Sequence, residues 1–423
     1  MNPAIALALL AVAGLLATRL PSLPMPGSAL IALPLRVLRA GGIPLALVGL
    51  VLGPGINLLD HRAFVSFAPL VALAVGWVAA AFGARWEWRV VRRIGGRRAV
   101  LLVSGAAAAL LVVSLAGWIA TRVLPGVAAA WLPLGPTVMT LAALAAVSGP
   151  DAIQMLARTV GVPRRTARAL YLAALLEAGA GTIVIALTIA TTHPRHAIGG
   201  AVGGVLVWLA LAVGAGAVTA LVFVWLTRPA PPHADVPLAL LAALIVGAGL
   251  GWAAGLSPFV VCAVAGALLV NVSVQRRRVQ AVLAAWEPTL VGVLAVAAGA
   301  LLAVPTPWLL VAIALLAAAR IAGKWGGMRA ALLSEEPPVL PLNAGLALVV
   351  QGGVVVAMSV NFLLMHGGTS QPGAGGAFLT AAIVGLALAQ AAAVPLLGPA
   401  LAPSSLLTPG PQVSDLSAGS PAA

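Results

Sequence analysis

The chain has 423 residues, 62% of them hydrophobic and only 8% charged, with a mean hydropathy of +1.12 and a formal charge of +14. Soluble domains carry about a quarter charged residues, so this composition excludes a water-soluble enzyme or binding module and demands a lipid solvent. The basic excess sits in arginines of short loops between apolar runs, which is a topology signal and argues against nucleic acid as a partner.

About 20 apolar residues cross a bilayer, and clusters of Pro, Gly and Arg cut the chain into about thirteen such segments. Asn2–Thr18 lacks a basic flank and reads as a first membrane helix entering from outside, not as a cleaved leader. Ser28–Leu38 is too short to span and reads as part of a longer or re-entrant helix. Gly42–Ile56, Ala63–Gly83 and Ala99–Thr121 follow, then Val127–Ala157, Thr166–Thr191, Ala197–Leu226, Val236–Gly255 and Ser257–Val272. Glu287–Val304, Trp308–Met328, Leu340–Met365 and Ala377–Leu401 complete the set. The Ser/Pro/Gly-rich stretch 403–423 is expected to be a disordered cytoplasmic tail behind a membrane domain covering 1–402.

Arginine positions orient this array. Arg85, Arg89, Arg92, Arg93, Arg97 and Arg98 share one loop, and Arg158, Arg164, Arg165 and Arg168 share the loop two spans later. Arg228, Arg276, Arg277, Arg278 and Arg329 keep that parity, whereas the opposite loops carry Arg62, Arg122 and Arg195. The asymmetry predicts an outside N-terminus, a cytoplasmic C-terminus and an odd number of passes in a bacterial-type plasma membrane. Tryptophans such as Trp86, Trp131, Trp225 and Trp308 fall near span ends, as interfacial anchors do. The single cysteine, Cys262, allows neither an internal disulfide nor a cysteine metal site.

Two segments depart from plain hydrophobicity. AALAAVSGPDAIQMLAR breaks at Ser148-Gly149-Pro150 and places Asp151 directly after the break; the next span carries Glu177 near its middle. An acid at that depth costs several kcal/mol if charged and unpaired, and free backbone groups at a break are tolerated only against protein or a watery cavity. Two later segments answer them. WLLVAIALLAAARIAGKWGGM holds Arg320 and the chain's one lysine, Lys324, four residues apart on one helix face. The span after it is interrupted at Gln351-Gly352-Gly353. Interrupted segments in corresponding halves point to an inverted-repeat secondary transporter, and the order here, broken then acidic in one half and basic then broken in the other, reads as a mirror image.

These stretches, with GGIPLALVGLVLGPGINLLD, GWVAAAFGARWEWRVVRR and GLSPFVVCAVAGALLVN, resemble the monovalent cation:proton antiporter superfamily from about Gly41 to Leu401. The resemblance implies an all-α membrane fold with inverted repeats and two crossed discontinuous helices. It also implies a core (about 99–191 and 308–401) that moves against a scaffold, and a homodimer. It makes Lys324 the counterpart of the family's site lysine, with Arg320 at a position often basic. The family's aspartate falls on Ala178, leaving Glu177 as the acid.

The function expected on these grounds is exchange of Na+ or K+ for protons by competition at a buried carboxylate. Glu177, Asp151, Ser148 and Thr182 are the expected ion and proton ligands, Lys324 and Arg320 the charge partners, and Gly149, Pro150, Gln351, Gly352 and Gly353 the breaks. No cofactor, resident metal or enzymatic activity is expected. Two other readings stand beside it: a transport-inactive homologue acting as sensor or assembly partner, as Ala178 suggests, and a carrier of an anionic solute drawn to Arg320 and Lys324.

Overall fold

The computed structural model describes residues 35–39, 41–56, 58–59, 61–192, 200–228, 235–334, 340–366 and 373–393, with positions 12, 14 and 395. The expected span Asn2–Thr18, apart from positions 12 and 14, most of Ser28–Leu38 and the stretch 403–423 lie outside them. All regular structure among the described residues is helical. Lipid supplies no partner for backbone N–H and C=O groups, so an apolar chain must satisfy them within each segment. Eight described helices are long and apolar enough to cross a bilayer, and four shorter apolar ones accompany them. The chain is a multi-pass integral membrane protein.

In chain order, α1 (Ile43–Leu50) runs into a π-helical turn, Val51–Gly55, around Pro54. The expected span Ala63–Gly83 divides into α2 (His61–Ser66) and α3 (Ala68–Gly83), because Pro69 cannot donate to the preceding turn. The short α4 (Trp88–Val91) leads to α5 (Gly96–Val123), whose 28 residues extend about 42 Å. Val127–Ala157 is three pieces: α6 (Val127–Ala130), α7 (Leu134–Ala146) and α8 (Pro150–Val160). Pro133 sets the first boundary, and Ser148-Gly149-Pro150 the second. α9 (Arg164–Thr192), α10 (Gly200–Leu226), α11 (Asp235–Ala253) and α12 (Pro258–Val272) follow the expected spans closely.

Two later boundaries differ from expectation. α13 is Arg276–Ala300, so Glu287 lies inside it and does not start a span; Pro288 is an interior proline, not a first-turn one. α14 (Trp308–Leu333) continues past Met328, which takes Lys324 away from the helix end and from any snorkelling role. The second broken segment has a single turn, α15 (Ala344–Ala347), before the break and α16 (Gly353–His366) after it. α17 (Ala374–Ala393) closes the described chain.

α5, α7–α9 and α14–α17 form one packed group and α1, α3 and α10–α13 another, with α16 at the seam, against α3 and α13 as well as α17. The first group holds the two halves, each in the order straight, broken, straight: α5, α7–α8, α9 and α14, α15–α16, α17. Broken precedes acidic in one half and basic precedes broken in the other, as expected from sequence; the helix order is common to both halves, and what inverts is direction. Gly323 lies against Ala109 and Gly327 against Ala108 and Ser104, so α14 runs antiparallel to α5. The second group repeats the device. Gly83 of α3 meets the Ala263 carbonyl of α12 while Gly266 of α12 meets the Ala80 carbonyl of α3. Both glycines permit a backbone approach that any Cβ would block.

Candidate functional site

The site grows out of helix α7 ending inside the protein. Its last carbonyls have no intrahelical donor, and Pro150 at the start of α8 brings no N–H of its own. Across from it the second break does the same, and the two chains touch: the Gly149 N–H donates to the Val350 carbonyl at 3.0 Å. A Cβ on Gly149 would run into the backbone of Gln351 and Gly352, so glycine is required at the crossing.

Two cations from α14 occupy the carbonyl-rich side. Arg320, buried at 3% exposure, donates through Nη1 to the carbonyls of Leu144, at 3.2 Å, and of Ala145. Its Nη2 donates to Val147 at 3.0 Å and to Val349, on the other broken segment, at 2.9 Å. One guanidinium thus fastens both breaks. The Gln351 amide adds donations to Leu144 at 2.5 Å and Val147 at 3.0 Å. The helix dipole favours a positive charge at such C-terminal ends.

One turn along α14, Lys324 is wholly buried, and its three ammonium protons are all used. Nζ donates to the Ala146 carbonyl at 2.6 Å, to Ser148 Oγ at 2.9 Å and to Glu177 Oε2 at 2.6 Å. Ser148 has one proton for two acceptors, Glu177 Oε2 at 2.5 Å and the Leu348 carbonyl. Glu177 comes from the middle of α9 with no exposed surface. Its second oxygen, Oε1, has no hydrogen-bond partner and faces α5, where a Cβ on Gly105 would sit 3.2 Å away. An acid and a base, both without exposed surface, thus meet where two interrupted helices cross.

No known family model matches the sequence, and no curated protein matches it either. Solved structures do. The sodium proton antiporter MjNhaP1 of Methanocaldococcus jannaschii, in a structure at pH 8, superimposes with a TM-score of 0.64 over 95% of this chain and 99% of that one. An electron-microscopy map of the same antiporter gives a TM-score of 0.61, covering 97% of this chain and all of that one, and both are 15% identical in sequence. The chain has the antiporter fold.

Within the antiporter fold the expected site residues divide. Glu177, Ser148, Lys324, Arg320 and Gln351 come together, with Gly149, Pro150, Gly352 and Gly353 shaping the breaks. Thr182 does not join them: its hydroxyl donates to the Ala178 carbonyl one turn back, at 2.8 Å. Asp151 stands apart as well. Its carboxylate is 60% exposed and pairs with Arg85 at 2.5 Å, on the outer side of α8. Ala178, where the resemblance expects an aspartate, is fully buried. Gln390 was not singled out from sequence. Buried on α17, it donates through Nε2 to the Gln351 carbonyl at 2.9 Å and reaches the second break much as Glu177 reaches the first. A lone amide in the apolar run GLALAQAAA is the signal that marks it.

Proposed function

We propose that this chain exchanges a monovalent cation for a proton, with the Glu177 carboxylate as the ligand for which the two compete and Lys324 as the charge that neutralises it in between. The observation that carries the reading is the buried Lys324–Glu177 pair, 2.6 Å apart at the crossing of two broken helices. A buried ion pair is a poor source of stability, because desolvation offsets most of the Coulomb attraction. Its retention in an apolar core therefore suits a site where a carboxylate must be kept charged and be released on demand. A hard cation would take oxygen ligands, and the set at hand is Glu177, Ser148 and the carbonyls freed at the breaks. The alternation of access is proposed as movement of α5, α7–α9 and α14–α17 against the other helices, in a homodimer.

The arrangement weighs against carriage of an anion. The terminal guanidinium nitrogens of Arg320 are committed to four backbone carbonyls and Lys324 has no spare proton, which leaves Arg320 Nε as the one donor of the two side chains without a partner. The inactive-homologue reading rests on Ala178; against it, Glu177 supplies a carboxylate one position earlier and reaches the lysine. The test is cation flux in proteoliposomes with Na+, K+ and Li+ offered separately under an imposed pH gradient. Glu177→Gln should abolish the exchange that the unaltered protein shows. No flux of any of the three ions by the unaltered protein would favour the sensor reading.

A further inference from the structure

The loop between α3 and α4 belongs to one helix group but touches the other. Its attachment to its own group is extensive. Asn271 of α12 donates to the Trp86 carbonyl at 2.9 Å and accepts from the Trp88 N–H at 2.8 Å. Gln280 of α13 donates to the Ala84 carbonyl at 3.0 Å and to Glu87 Oε1 at 3.2 Å. Arg85 donates to Glu287 of α13 at 2.6 Å, both side chains being 14% exposed.

The same Arg85 nitrogen also reaches Asp151 Oδ2 at 2.5 Å, and Asp151 is in the first turn of α8, within the site-bearing group. Trp86, the next residue, lies against Gly179 of α9, two positions beyond Glu177. The loop is thus fastened to its own group by four hydrogen bonds and a part-buried ion pair, and to the other by one ion pair with an exposed carboxylate and by the edge of a ring. Asp151 shares an exposed stripe of α8 with Gln154 and Arg158, so water reaches this contact.

We infer that Arg85 and Asp151 form a reversible latch between the two helix groups, closed in this conformation and opened each time the site-bearing group moves. Glu287 keeps Arg85 charged, paired and in place when Asp151 departs. Asp151 is then a latch residue and not a ligand of the transported cation. This rests on the antiport reading, since a latch needs a movement to oppose.

A cysteine pair at 85 and 151, in a Cys262→Ala background reconstituted in proteoliposomes, tests it. A short bis-methanethiosulfonate reagent, which spans the gap that the arginine side chain fills, should cross-link the pair and lower exchange by about tenfold or more, and reduction should restore it, because a locked conformational step limits turnover. A fully cross-linked protein exchanging like its reduced form overturns the latch, as does a pair that never cross-links. A reduced pair without exchange, beside an active parent, overturns it too. Asp151→Asn provides the second reading: its apparent cation affinity should match the parent, and a rise in KM of about tenfold would make Asp151 a ligand after all. A parent that shows no exchange contradicts the antiport reading itself, a result the cross-link on a gel does not depend on.

Discussion

Lys324→Met is the most informative single perturbation of the site's energetics. It leaves the Glu177 carboxylate buried without its counter-charge and the Ala146 carbonyl without its donor. Both side chains have no exposed surface, so solvent screening does not reduce the effect. Removing one partner of a buried pair costs about 3–5 kcal/mol, and Glu177→Gln, which strands the ammonium, belongs in the same range. The double variant removes both charges and leaves chiefly one unpaired carbonyl, a cost of about 1–3 kcal/mol. The double variant should therefore be more stable than either single one, with a coupling energy of at least roughly 3 kcal/mol between the positions. Reversible unfolding of the four proteins in one detergent measures it. Additive losses would refute the reasoning, since they would mean that the two groups do not share one electrostatic fate.

Further outcomes follow from the same geometry. Arg320→Ala strips donors from four break carbonyls at once, and should destabilise the protein by several kcal/mol while Arg320→Lys, with fewer donors and no fork, recovers only part of it; thermal unfolding ranks the three. Gly149→Ala drives a methyl into the Gln351–Gly352 backbone, so it should cost about 1–3 kcal/mol or more and lower exchange sharply. Ser148→Ala keeps the Lys324–Glu177 contact but removes a hydroxyl ligand, so it should raise the KM for the cation more than it lowers the maximal rate, as kinetics across cation concentrations will show. Gln390→Leu leaves the Gln351 carbonyl unpaired and should cost about 1–3 kcal/mol of stability with exchange retained.

The membrane class and most helix positions were legible because composition and run length are set by the bilayer, not by tertiary detail. Glu177, Lys324 and the two breaks were legible for the same reason: a charge or an unpaired backbone group is costly in lipid wherever it lies along the chain. What escaped was anything decided by packing. Pro288 reads as a helix start from sequence, yet it sits exposed inside α13, and Glu287 with it. Asp151 follows the break directly, but the side chain leaves α8 on its outer face toward Arg85, a direction that proximity in sequence cannot supply. Thr182 is one turn from Glu177 and satisfies its hydroxyl on its own helix instead. The places of acid and base relative to the breaks are legible in the sequence, whereas the inverted direction of the second half is set by packing of α14 against α5.

The most direct test of the central claim is proton movement driven by a cation gradient through the purified protein. Proteoliposomes carrying an internal pH dye, held under an imposed pH gradient, should show dissipation of that gradient when Na+, K+ or Li+ is added. The same preparation of Glu177→Gln should show none. Cation-driven proton movement by Glu177→Gln at the rate of the unaltered protein would contradict the account, because the carboxylate at the helix crossing would then not be the group for which cation and proton compete.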